Sequence, residues 1–228
     1  MKISASRSRH WLVFAIPTIA LIGITAGCGG GSGSSTSSGL PLTKATLAQV
    51  TAGQAIVTGF GCTDCHNRGV DNTADTHWMA GYIGAAGGTG SGTYNIGPFQ
   101  TYAANLTPDT TTGIGRYTDQ QIYNALKFGL DPAATPDAVI TSTTPGQGNF
   151  PATPHYLAPP MPWPAIRHMT DTQLWEIVAY LKHGIKAVNN PVPDSGAPPD
   201  FWASSYTTTA VGPVTIAPYP SGNEIYQP

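Results

Sequence analysis

The stretch Cys62-Thr63-Asp64-Cys65-His66 constrains this 228-residue chain more than any other, because two thiols and an imidazole within five residues invite a covalent or metal-bound group. The sequence holds three cysteines in all, and the third is Cys28, far from the pair. Three chemistries use such spacing. A structural zinc site needs four ligands, and no second pair stands at finger or ribbon spacing. A thioredoxin-like redox pair needs a preceding strand and a βαβ setting. The remaining chemistry is the attachment of a c-type haem, for which Cys-x-x-Cys-His is the local requirement.

The helical pattern decides between the last two. A first helix is predicted from about Thr46 to Thr58, with Leu47, Val50 and Val57 near one face, Gly53 leaving room for a crossing helix, and a stop at Gly59. A second opens at Thr118-Asp119-Gln120-Gln121, a capping-box spacing with Tyr117 and Ile122 placed as a hydrophobic staple. Ile122, Ala125, Leu126 and Gly129 follow as its buried face. A third repeats the device, with Thr170 and Gln173 as the box and Met169 and Leu174 as the staple. Leu174, Ile177, Val178 and Leu181 form its apolar face, and Lys182, His183 and Gly184 its C-terminus. No run alternates well enough to predict a sheet. The fold class expected is all-α, with about three main helices and long Gly/Pro-rich connections, since Gly and Pro make up 27 and 21 of the 228 residues.

Three helices offer no βαβ context, so the motif reads as a haem attachment site. Cys62 and Cys65 reach the two vinyl groups along one haem edge as thioethers, and His66 falls beneath the iron as an axial ligand. The expected cofactor is one covalent haem c.

The N-terminus agrees with export. Lys2, Arg7 and Arg9 precede an apolar run from Trp11 to Ile24, and Thr25-Ala26-Gly27-Cys28 is small: the order of a signal peptide over 1–27. The apolar run is too short for the ~20 residues of a membrane-spanning helix. Residues 26–28 resemble a bacterial lipobox, with Thr25 where that pattern usually has leucine. Cys28 is then the lipid-attachment site, and the glycine and serine run after it, 28–41, is a flexible linker. The lipoprotein resemblance, with Gly29 where an inner-membrane retention signal would place aspartate, implies an outer-membrane lipoprotein on the periplasmic side. Removal of the signal peptide leaves 7 basic side chains against 12 acidic ones, which argues against a nucleic-acid partner. The folded domain is expected over 42–188, followed by a proline-rich extension over 189–228.

The second axial ligand has several contenders: Met79, Met161, Met169, His77, His155, His168 and His183. Met169 has a role as a staple, and His183 complements a helix dipole. Met161 stands in Ala-Pro-Pro-Met-Pro-Trp-Pro, where Pro159, Pro160 and Pro162 stiffen the backbone and disfavour helix. A stiff segment ahead of a packed helix suits a weak thioether ligand; otherwise Met161 is an apolar loop residue.

Four segments carry a family resemblance: GCTDCH, NLTPDTTTGIGRYTDQQIYNALKFG, PPMPWP and MTDTQLWEIVAYLKHG. Together, over about residues 47–186, they resemble the class I cytochrome c domains of bacterial periplasmic and dehydrogenase-linked cytochromes. HWMAGYIG is similar to a looser form of that family's Leu-Ala-Gly-Gly segment. The resemblance implies one haem pocket closed by crossing N- and C-terminal helices, His66 and Met161 as axial ligands, and Gly53 against Tyr180 at the crossing. It departs from the dehydrogenase subunits in having one haem motif where they usually carry three. The glycine-rich GAAGGTGSGTYNIG fits no nucleotide-binding pattern and is expected to be a loop.

Two functions are compatible with these residues. One is an electron carrier, not an enzyme, whose partners are a dehydrogenase, another cytochrome or a terminal reductase. The alternative is a haem enzyme or gas sensor with a displaceable sixth ligand. No distal acid–base pair supports the second.

Overall fold

Three Thr-x-x-Gln boxes start the three longer helices. In the computed structural model, which describes residues 45–84, 92–96 and 99–194, α1 runs over Leu47–Gly59, α3 over Asp119–Phe128 and α5 over Asp171–Ala179. Thr46, Thr118 and Thr170 each accept from the backbone N–H three residues on, while the glutamine there returns the bond to the cap N–H. Each box satisfies two amides that the first helical turn leaves unpaired. Two single-turn helices complete the set, α2 over Cys62–His66 and α4 over Trp163–Ile166. The last helix continues as a π turn over Tyr180–Gly184.

Helix α1 crosses α5 where Gly53 meets it. A Cβ on Gly53 would lie 1.8 Å from the Glu176 carbonyl oxygen and 2.8 Å from Tyr180 Cβ, so the two backbones touch. Val57, Ile122, Leu126, Leu174, Ile177, Val178 and Leu181 fill the core among α1, α3 and α5. Leu47, expected on the buried face of α1, is instead 82% exposed, because it occupies the first helical position, short of the crossing. Trp78 ties the loop after α2 to this core by donating Nε1–H to Tyr180 Oη at 2.8 Å. A smaller cluster of Phe128, Leu130, Ile140 and Phe150 lies under the long connection that follows α3.

The all-α expectation requires correction. Thr93–Ile96 (β1) and Phe99–Tyr102 (β2) pair antiparallel, with Thr93 opposite Tyr102 and Tyr94 opposite Thr101. β1 lies within the glycine-rich segment expected to be wholly loop. Four-residue strands carry too little alternation to be read from sequence; their pairing with each other creates them. The molecule is helix-rich with one small two-stranded sheet. Among the described residues, no helix is long and apolar enough to cross a membrane. Cys28, the expected signal peptide and linker, and the chain beyond 194 lie outside the described residues.

Candidate haem site

The turn out of α1 delivers the cysteine motif. Phe60 caps α1, and Gly61 adopts the left-handed conformation (φ +81°) that reverses the chain into α2. Within α2, Cys62 and Cys65 stand three residues apart, hence on one face of the turn, with His66 one step on. Both cysteines are half-buried. Burial pushes the Cys62 thiol up to about 11, partly offset by a backbone hydrogen bond. A reactive thiol is favoured by the opposite shift, so burial works against thiolate formation at Cys62.

His66 is 8% exposed, and its Nδ1 lies 2.8 Å from the Ala104 carbonyl oxygen. Only a protonated Nδ1 can donate there, which leaves Nε2 with its lone pair. Burial depresses the imidazole pKa against the opposing pull of the Ala104 hydrogen bond. A neutral ring with one nitrogen tied to a carbonyl is the form in which histidine ligates a metal. The donor set therefore fits a c-type haem: two thiols on one face, then an oriented neutral imidazole.

The small sheet makes this possible. β2 leads directly into Ala103 and Ala104, and that turn is fixed by Ala103 N–H donating to Gly92 O (2.7 Å) and Tyr82 N–H donating to Ala103 O (3.0 Å). Tyr94, on β1, hydrogen-bonds Cys65; burial and that bond hold its phenol above the usual range. Neither contact was legible in sequence. Ala104 contributes a backbone carbonyl, which leaves no side-chain signature, and Tyr94 depends on strands that the pattern did not reveal.

The segment resembling the family's Asn-Leu-Thr-Pro-Asp run folds on itself. Asn105 Oδ1 accepts from Thr107 N–H at 3.0 Å, and Asp109 Oδ1 accepts from Thr111 N–H at 3.0 Å and Thr112 N–H at 2.6 Å. Gly113 and Gly115 pass so close to this turn that a Cβ on either would lie 2.2 Å from a carbonyl oxygen, of Thr107 and Pro108 respectively.

Met161 lies on a short loop held by backbone bonds ahead of it and by the packing of Trp163 behind it. Leu157 N–H donates to Gly129 O (2.7 Å) just past α3, and Asp131 N–H donates to His155 O (2.8 Å). Tyr156 stacks on Trp163 at 5.9 Å between ring centroids and 6° between planes, closing the loop across its base. Trp163 in turn packs on Gly129, where a Cβ would lie 2.1 Å from the indole. Met161 is half-buried and packs against the same core cluster as Cys62. The other contenders are placed differently. Met79 is 0% exposed within that core, with its N–H donated to Asn67 Oδ1. Met169 packs beside the core, His77 and His168 are exposed, and His183 Nε2 sits 3.2 Å from Asp119 Oδ2.

The chain is similar to the cytochrome c subunit of quinone-dependent alcohol dehydrogenase from Gluconacetobacter polyoxogenes, at 31% identity over 90 residues, 40% of this chain and 15% of that protein. It is similar at 26% identity to the fructose dehydrogenase cytochrome subunit of Gluconobacter japonicus, over 67% of this chain and 24% of that one. The gluconate 2-dehydrogenase cytochrome c subunit of Pantoea cypripedii matches at 30% over 42% of this chain and 18% of its own length. These relatives support a cytochrome c domain. The chain spans under a quarter of the length of each of these relatives, and no family model matches it. In a cytochrome c domain haem binding and electron transport go together, and the cysteine–histidine turn is the candidate haem site of this chain.

Proposed function

We propose that the chain is a monohaem c-type cytochrome that passes single electrons between exported redox partners, and that it is not itself an enzyme. One arrangement carries the reading: a buried imidazole, its Nδ1–H spent on Ala104, follows directly on two cysteines one helical turn apart. When bound, haem supplies a one-electron iron couple. The chain's own residues do the rest. Cys62 and Cys65 would hold the group covalently, so that it would survive changes of oxidation state without loss. His66 would hold the iron through Nε2. Met161 would hold it through its thioether, a soft donor that would favour the ferrous state and raise the potential. Its half-buried place on a pinned loop supports that choice over Met79, which the core encloses and the Asn67 bond secures.

With His66 and Met161 both holding the iron, no coordination position would be left open to a substrate. The relatives are named as cytochrome subunits of dehydrogenases, which supports a dehydrogenase as a redox partner, with another cytochrome or a terminal reductase completing the path. Cys28 is the proposed lipid anchor, holding the protein on the periplasmic side of a bacterial outer membrane.

The test is haem retention. The exported protein keeps one haem per chain through acid–acetone extraction and denaturing electrophoresis, and a Cys62→Ala, Cys65→Ala double variant loses it. Covalent haem in the double variant would sink the assignment. Slow carbon monoxide binding by the reduced wild type distinguishes a carrier from a gas-binding site, which would bind at once.

A further inference from the structure

The chain beyond the last helix returns to the loops that back the cysteine–histidine turn, and one side chain there makes contacts out of proportion to its position in a proline-rich tail. Asn190 donates both carboxamide protons to backbone carbonyls, Ala80 O at 2.7 Å and Tyr82 O at 2.8 Å. Its own N–H donates to Thr112 Oγ1 at 2.9 Å. Thr112 Oγ1 also accepts from Asn105 Nδ2 (3.1 Å), which reaches in addition to Val188 O at 2.8 Å. Thr107 Oγ1 accepts from Val188 N–H at 3.1 Å. Residues 188–190 are thus stitched to the loop that begins immediately after Ala104.

The carbonyls that Asn190 grips flank Gly81. Gly81 donates its N–H to the His66 backbone carbonyl at 2.9 Å. It also lies flat against the peptides that orient the ring: a Cβ on Gly81 would sit 2.4 Å from Ala103 O and 2.5 Å from Ala104 O. His66 is accordingly held at two points, its main chain by Gly81 and its Nδ1–H by Ala104, and residues 188–190 form a strap that grips the carbonyls on either side of Gly81. The chemistry at 190 is specific. Two carbonyls facing one side chain require two N–H donors from one group, which a carboxamide has; a carboxylate has none and a hydroxyl has one.

We propose that Asn190 is a positioning residue for the axial His66: its carboxamide holds Gly81 against the Ala103–Asn105 peptides and so fixes the hydrogen bond from His66 Nδ1–H to Ala104. The inference rests on the haem reading above. Partners of the second nitrogen of a metal-bound imidazole orient the ring and raise its basicity. A firm bond to Ala104 therefore favours the ferric state, and loosening it shifts the couple toward ferrous.

The experiment uses the full-length holoprotein with ¹⁵N-labelled histidine. Exchange of the His66 Nδ1 proton is followed by NMR in the ferrous state, and the midpoint potential by redox titration. Asn190→Ala speeds exchange about tenfold and moves the ferric/ferrous equilibrium toward ferrous by about threefold or more. Asn190→Asp, of the same size but presenting only acceptors to Ala80 and Tyr82, does the same, and serves if the alanine variant does not accumulate. Ile122→Val, a core change outside the strap, lowers stability while leaving both readouts at wild-type values. Wild-type exchange and potential in the Asn190 variants, with haem retained, would overturn the inference. A wild type without covalent haem would instead overturn the haem reading, and this inference with it; staining the wild-type band separates the two failures.

Discussion

Met161 and His66 are held by different means, and the difference sets what each substitution does. His66 is buried and oriented by a hydrogen bond, whereas Met161 depends on a loop closed by the Tyr156–Trp163 stack. Met161→Ala should leave the fold and the covalent haem in place. It should abolish the weak near-infrared sulfur-to-iron band of the oxidised protein, lower the potential and open the reduced protein to rapid carbon monoxide binding. If the band survives in Met161→Ala and disappears in Met79→Leu, the ligand is Met79. Asp109 acts at the same scale. Hydrogen bonds from the Thr112 backbone and side chain hold its carboxyl below the usual carboxylate range. A group with a depressed folded-state pKa stabilises fully above its unfolded value and loses that contribution as pH falls through the folded one. The loop over 105–113 should therefore loosen below about pH 4, seen as faster exchange of the Thr112 amide, and Asp109→Ala should remove that acid-dependent step.

At the scale of elements, the glycines of α1 separate packing from propensity. Alanine is favoured over glycine inside a helix by about 1 kcal/mol. At Gly53 the added methyl would fall 1.8 Å from a backbone carbonyl oxygen, which cannot rotate away, so the crossing must open. Overpacking of this kind costs about 1–3 kcal/mol, occasionally more. Gly53→Ala should lower unfolding stability by about 2 kcal/mol net in spite of the propensity gain. Nothing lies within 4 Å of a Cβ at Gly59, so Gly59→Ala should be neutral or slightly stabilising. Denaturant unfolding of the two variants reads the contrast directly; equal losses would show that the α1–α5 contact is looser than the geometry states. The capping boxes at Thr118 and Thr170 were legible because a cap is a local device. The box at Thr46 has the same spacing and could have been read by the same rule.

For the whole molecule, the proposed anchor and the haem pocket should be separable. Cys28→Ser should release the protein into the soluble periplasmic fraction, or leave its signal peptide uncleaved, with the haem spectrum unchanged. Acyl chains contribute about 0.8 kcal/mol per buried methylene, and several chains make attachment stable. A wild type recovered in soluble form, with its N-terminus elsewhere than Cys28, would end the lipoprotein proposal and leave the cytochrome reading standing.

What the sequence determined by itself was local in origin. The Cys62–His66 spacing, the capping boxes and the apolar faces of α3 and α5 each depend on residues within one or two helical turns, so their physics is complete in a short window. Tertiary structure alone decided which groups meet across the chain. Ala104 orients His66 from 38 positions away, and Asn190 grips Ala80 from 110 away, through backbone carbonyls that every residue possesses and none advertises. The sheet belongs to the same class: neither four-residue strand has a pattern strong enough to specify it, and each exists because the other satisfies its hydrogen bonds.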